Sequence, residues 1–129
     1  ARACFARGYD DPAAFLLAYD ERAGAGLGPN YAWFKARYPR FVYIDRVVVD
    51  GAGRGRGIAS RLYADLFAMA AAAGHALVGC EVNSDPPNPA SDAFHARHGF
   101  AEVGLAHLAD RGKTVRYLAR CVGSDSRSR

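Results

Sequence analysis

Glycine stands at every second position in "GAGRGRGIAS", at Gly51, Gly53, Gly55 and Gly57, with Arg54 and Arg56 in two of the gaps and three valines, Val47, Val48 and Val49, just before. A turn from a strand into a helix gathers unpaired backbone N–H groups and the positive end of the helix dipole in one place, and such a place binds anions. Glycines let the backbone approach a ligand with no Cβ in the way, and arginines add forked donors for phosphate oxygens. Two carboxylates also stand out against apolar surroundings, Glu81 in "HALVGCEVN" and Asp45 in "RFVYIDRVVVD". A carboxylate is costly to bury without partners, and a partly desolvated Glu has the raised pKa that proton abstraction uses. For Asp45 an ion pair with Arg40 or Arg46 is the competing reading.

The elements that must hold these residues follow from pattern. Residues 3–8 and 14–21 are short apolar runs separated by "YDDP", which predicts two strands and a turn. After the glycine-rich 23–29, residues 30–38 start a short helix with Asn30 as N-cap, ended by Pro39. Residues 40–50 form the best strand, rich in β-branched and aromatic residues, and alternation puts Phe41, Tyr43, Asp45, Val47 and Val49 on one face.

Ile58, Leu62, Leu66, Met69 and Ala73 then make a helical stripe over about 56–73, closed by Gly74. Residues 75–83 read as a strand buried on both faces, with Glu81 and Asn83 sharing one of them. Strand, helix and buried strand within so short a span make a central β-α-β unit, which implies parallel pairing through a right-handed crossover. "SDPPNP" breaks the chain, 90–99 is a short helix, and "FAEVGLAHL" and "TVRYLARCV" close the chain as an antiparallel hairpin around "ADRGK". The fold class is α/β with a mixed sheet, a single domain over 1–123 with a frayed polar tail at 124–129.

Bulk properties narrow the function. The chain has 129 residues, half of them hydrophobic, and a formal charge of +4 that suits an anionic small ligand as well as it suits a weak nucleic-acid contact. Cys4, Cys80 and Cys121 fit neither a zinc spacing nor a disulfide framework, and buried reduced thiols are expected, with no metal. No run reaches the roughly 20 apolar residues of a membrane span, so a soluble cytoplasmic protein without a membrane partner is expected. The chain has no initiator Met and enters a strand almost at once, which suggests a missing leading segment.

The dinucleotide pattern fails from every glycine of the turn, and the only Gly-Lys-Thr, at 112–114, has His107 where a Walker motif needs glycine. "RGRG" occurs once between ordered elements rather than as a disordered repeat, which argues against nucleic acid.

Arg54 to Ala59 resembles the Q/R-x-x-G-x-G/A signature of the GNAT superfamily of acyl-CoA N-acyltransferases. "NPASDAFHARHGF", residues 88–100, is similar to that family's N-x-x-A-x-x-F-Y-x-x-x-G-F segment, with Asn88, Phe94, Gly99 and Phe100 in register and Ser91 or Ala93 near the small-residue position. The resemblance runs over about residues 3–120.

It implies acetyl transfer from acetyl-CoA, as co-substrate, to a primary amine on a small molecule or a protein, by direct attack on the thioester. In its terms Arg54, Gly55, Arg56, Gly57, Ile58 and Ala59 bind the pyrophosphate of coenzyme A, with Ser60 nearby. Val47, Val48 and Val49 pair with the pantetheine arm, and a backbone N–H near Val47 or Val48 meets the oxyanion. Asn83, Asn88, Phe94 and Arg97 complete the cofactor-binding set. The tyrosine that many members use as general acid falls on His95, which either protonates the thiolate or packs against the cofactor. The base is Glu81, Asp45 or a water chain.

His98 and His107 read as surface or packing residues. Tyr31, Trp33 and Phe34 either line an acceptor pocket or form the underside of a short helix. Members often pair through their C-terminal strands, so a homodimer is among the implied partners. A coenzyme A binding module without turnover is the alternative function.

Overall fold

The structure is a computed structural model and describes residues 3–10, 13–24, 26–51, 57–85 and 87–123. In chain order the elements are β1 (Phe5–Asp10), β2 (Ala13–Asp20), α1 (Pro29–Arg37), β3 (Phe41–Val49), α2 (Ile58–Ala72), β4 (Leu77–Asp85), α3 (Pro89–Arg97), β5 (Ala101–Leu108), a 3-10 turn (Ala109–Arg111) and β6 (Lys113–Cys121). The strands form one six-stranded mixed sheet in the order β1-β2-β3-β4-β6-β5. The chain divides into two compact units, Ala1–Val78 with Cys121–Arg129, and Gly79–Arg120.

In the first unit β1, β2 and β3 pair antiparallel. Along β2, Ala14, Leu16, Ala18 and Asp20 are buried while the residues between them are more open, the period-2 signature of a strand with one core face. Arg7 is the register partner of Leu16, and its guanidinium meets Asp65 of α2 at 2.9 Å, which puts α2 over the Leu16 face. Ile58, Leu62, Tyr63, Leu66 and Ala70 form the buried stripe of α2: the first two steps of four are as the spacing predicts, but Met69 is half-buried and Ala73, just past the helix, is exposed, so Tyr63 and Ala70 complete the core face instead. α1 takes the opposite face, where Tyr31 and Phe34 pack ring to ring on Phe41 and Tyr43 at 5.5–6.1 Å.

Two expectations are corrected here. α1 opens at Pro29 with Gly28 as N-cap, and Asn30 is a buried residue of its first turn rather than the cap. Proline needs no N–H at the first helical position and has its φ preset, so it starts the helix one residue before the best capping side chain. The single face assigned to Phe41, Tyr43, Asp45, Val47 and Val49 is interrupted: Ala18 pairs with Ile44 but Leu17 with Arg46, leaving Asp45 as the extra residue of a β-bulge. Beyond it the alternation is inverted. Val47 and Val49 pair with Leu16 and Ala14 on the α2 face, while Val48 pairs with Phe15 on the face of Tyr43.

In the second unit β5 and β6 form the antiparallel hairpin, closed through the 3-10 turn and Gly112 in left-handed conformation. Arg116 of β6 holds Glu102 of β5 and Asp92 of α3, each at 2.9 Å. α3 ends at Arg97 with His98 as C-cap, and Gly99 follows with a φ of +84° that would strain any side chain, while the N–H of Phe100 returns to the carbonyl of His95 at 3.0 Å.

Candidate functional site

In the first unit the strand-turn-helix passage is built as an anion site is. β3 beyond the bulge carries Val47 and Val48, 36% and 44% exposed, so its last turn lies open rather than in the core. Arg54, Gly55 and Arg56 lie outside the described residues. Gly57, with φ +74° and ψ 16°, is the N-cap of α2 and has no side chain with which to cap it, and no acidic residue stands in the helix's first turn. Among the described residues, nothing lies within 4 Å of where a Cβ on Gly57 would sit. Ile58 is buried and anchors the helix start, and Ala59 and Ser60 are half-buried. A helix start without capping side chain or carboxylate keeps its dipole end for an anion.

In the second unit, β4 alternates buried Cys80 and Val82 with half-buried Glu81 and Asn83, so the carboxylate and the amide share one face as expected, but that face is partly open where burial on both faces is predicted. Burial pushes the Cys80 thiol far above its usual range, and the negative charge of Glu81 adds to the effect. Asn88 caps α3, its Oδ1 accepting from the N–H of Ser91 at 3.2 Å. Phe94 is half-buried and packs against His98 with ring centroids 4.4 Å apart and planes tilted by 44°, with the exposed Arg97 guanidinium 5.9 Å from its ring.

His95 is 7% exposed and stands edge-on to Phe100 at 5.1 Å and to Phe94 at 5.4 Å. Its Nδ1 lies 2.8 Å from the carbonyl oxygen of Ser91 and 3.3 Å from the Ser91 hydroxyl. Burial holds its pKa below the usual imidazole value, outweighing the hydrogen bond to Ser91, with the neighbouring His98 adding to the lowering and Asp92 opposing it.

The other candidates separate clearly. Asp45 is half-buried at the bulge. His98 is half-buried, and burial, Arg97 and Arg120 keep its pKa low; His107 is exposed with its Nδ1 3.0 Å from the Thr114 hydroxyl. Tyr31 and Phe34 are the underside of α1, whereas Trp33 is half-exposed under the Arg37 guanidinium at 4.1 Å. All three cysteines are free, but only Cys80 is buried; Cys4 is half-buried with its thiol pushed up to about 11, and Cys121 is exposed. Among the described residues no three His, Cys, Asp or Glu side chains gather as a metal would need, and no helix is long and apolar enough to cross a membrane.

Sequence reasoning missed a polar cluster in the first unit. Asp20, 4% exposed, accepts from the backbone N–H and the guanidinium of Arg22 at 2.9 and 2.8 Å. His75, 2% exposed, lies 3.3 Å from Glu21 and 4.0 Å from Asp20. The signal available was weak: an acidic pair at a strand end and one His beside a helix-ending glycine.

Residues 3–100 match the family model described as acetyltransferase (GNAT) family. Solved structures share the fold. The ribosomal-protein-S18-alanine N-acetyltransferase of Escherichia coli aligns at TM-score 0.61 and 17% identity over 85% of this chain and 61% of its own. A GNAT family acetyltransferase of Streptococcus pneumoniae aligns at TM-score 0.60 and 15% identity over 85% of this chain and 59% of its own. A Bacillus anthracis protein solved in complex with acetyl coenzyme A aligns at TM-score 0.62 and 19% identity over 84% of this chain and 54% of its own. The chain thus spans about three fifths of the length of the first of these. No curated sequence matches it.

Proposed function

Because the chain belongs to the GNAT acetyltransferase family, we propose that it moves the acetyl group of acetyl-CoA to a primary amine by direct attack on the thioester. The observation that carries this reading is the start of α2, where Gly57 in left-handed conformation is an N-cap without a side chain and the first turn holds no acid. That arrangement supplies N–H donors and a positive dipole end to a pyrophosphate, and Arg54 to Ala59 are the signature residues around it.

The proposed roles follow from chemistry. Backbone groups of Val47, Val48 and Val49 pair with the pantetheine arm, the bulge at Asp45 having shifted their alternation. A backbone N–H there stabilises the oxyanion as the amine adds to the carbonyl. Asn83, Asn88, Phe94 and Arg97 add polar and apolar contacts to the coenzyme. The amine must lose its proton before it attacks, and Glu81, half-buried on the open face of β4, is the first candidate for base, with Asp45 the second. Two carboxylates favour a cationic amine, either a small molecule or the amine of a protein; the Escherichia coli neighbour's own name is that of a protein-alanine acetyltransferase. The reading places the protein in the cytoplasm, where acetyl-CoA is available, as one acetyltransferase domain over residues 1–123.

The second reading, coenzyme A binding without turnover, is favoured by one observation: a histidine, with its pKa lowered by burial, stands where a tyrosine acid is usual. Thiol release from acetyl-CoA over a panel of amines tests both. Amine-dependent release supports the transferase; a thermal shift with coenzyme A but no amine-dependent thiol supports the binder; neither effect sinks the assignment of the turn.

A further inference from the structure

Within the first unit an open cleft of about 390 Å³ lies where the glycine-rich loop after β2 meets the start of α1, and its lining includes Gly26, Leu27 and Gly28 of the loop and Tyr31, Ala32 and Lys35 of the helix. The wall is apolar. The glycines put no side chain into the cleft, and a Cβ on Gly26 would meet nothing within 4 Å among the described residues. Tyr31 has its hydroxyl committed elsewhere, donating to the carbonyl of Asp20 at 2.6 Å. Lys35 is the one charged residue among those that line the cleft. Its ammonium donates to the carbonyl of Glu21 at 2.6 Å, which fixes its position and uses one of its three N–H donors. Arg22 and Arg40 face carboxylates, Asp20 at 2.8 Å and Glu21 at 3.8 Å, whereas among the described residues no carboxylate lies within ion-pair distance of Lys35.

An apolar cleft with one cation that no carboxylate neutralises is complementary to a molecule with an apolar body and a single anionic head. We propose that this cleft is a binding site for a small amphiphilic carboxylate, its chain or ring lying against Leu27, Tyr31 and Ala32 and its head meeting the Lys35 ammonium. Size selects a small molecule over a protein partner. The volume falls within the roughly 300–1,000 Å³ of small-molecule sites, and a cleft of that size takes a short chain or one ring rather than the row of anchors that a docked helix presents. The acceptor favoured for acetyl transfer is a cationic amine, which Lys35 repels, so this is a second site with a ligand of its own. It stands or falls apart from the acetyl-transfer reading.

Amide NMR of the whole chain, titrated with hexanoate and with hexanol, tests the site, because the two probes share a chain and differ in the head. Hexanoate should give saturable shifts at Gly26, Gly28 and Ala32 and bind about threefold to fivefold more tightly than hexanol at low salt, the advantage of one exposed ion pair, and added salt should shrink that advantage. No saturable shift at those amides overturns the proposal, and so does equal affinity for the two probes. Lys35→Met keeps an apolar stem without the charge, so it should bind hexanol as the parent does and lose the preference for hexanoate, while Lys35→Arg should retain it. A preference that survives in Lys35→Met overturns the proposal. Ala32 is exposed on α1, so Ala32→Leu leaves the helix intact, fills part of the cleft and should weaken both probes together; unchanged affinity in that variant places them elsewhere and overturns the site. The same amide spectra report that each variant is folded.

Discussion

The carboxylate of Asp20 and the guanidinium of Arg22 lie 2.8 Å apart, with the carboxylate also accepting the Arg22 backbone N–H at 2.9 Å. Burial alone would raise the pKa of Asp20, but the hydrogen bonds and charge of Arg22, with His75 nearby, outweigh it and leave the pKa below the usual carboxylate value. A folded pKa below the unfolded one means that the ionised group stabilises the fold fully above the unfolded value of about 3.9, and that this stability is lost as pH falls through the lower, folded value. Asp20→Asn should therefore cost about 1.5–3 kcal/mol at pH 7, the range for hydrogen bonds to charged groups. Urea unfolding at pH 7 and again near pH 2 checks it. The gap between parent and variant should close in acid, and an equal gap at both pH values would contradict the assignment.

Gly57 separates conformation from ligand binding. Among the described residues a Cβ there meets nothing within 4 Å, but its φ of +74° costs a side chain roughly 1–2 kcal/mol. Gly57→Ala should thus lose about that much stability while keeping measurable coenzyme A binding. Gly57→Glu carries the same backbone cost and adds a carboxylate at the helix start, so calorimetry should find coenzyme A binding abolished. Equal affinity in the glutamate variant and the parent would refute the pyrophosphate site.

Gly99 is the stricter glycine. Its φ is +84° and a Cβ would stand 3.1 Å from Nε of Arg120, so strain and crowding add. Gly99→Ala should cost about 1–2 kcal/mol from the backbone alone, measured as a lowered denaturation midpoint with unchanged m-value. A cost smaller than that of Gly57→Ala would show that the two positions have been ranked wrongly.

What was legible in the sequence is what repeats. The stripe Ile58–Leu62–Leu66 repeats at steps of four, and the β-branched run of β3 has no breaker, so both elements were found within two residues at either end. The bulge at Asp45 was not legible, because it adds no glycine or proline and changes only which neighbours pair across β2. That missing residue of register inverted the faces assigned to Val47 and Val49. At the candidate site, residue types at motif spacing pointed to Gly57, Asn88 and His95, but spacing says nothing about a ring nitrogen. The 2.8 Å contact of the His95 ring with the Ser91 carbonyl one helical turn away is set by helix geometry, which the motif does not encode. The cluster of Asp20, Glu21 and His75 was missed for a related reason: its members come from chain segments more than fifty residues apart, and no local pattern links them.

Asn88 has two proposed duties, and one substitution pair divides them. As the cap of α3 its side chain satisfies the N–H of Ser91, and Asn88→Ala should cost about 1 kcal/mol. Aspartate caps as well as asparagine, so Asn88→Asp should recover that loss, and the adjacent helix dipole favours the added negative charge. Toward coenzyme A the two residues differ, because aspartate has no amide N–H to donate and repels phosphate. If Asn88 also contacts the coenzyme, the aspartate variant should fold like the parent yet bind coenzyme A more weakly than the alanine variant does. Thermal melts and calorimetry on the same three proteins read both duties. Parent-like affinity in Asn88→Asp would leave Asn88 a helix cap and nothing more.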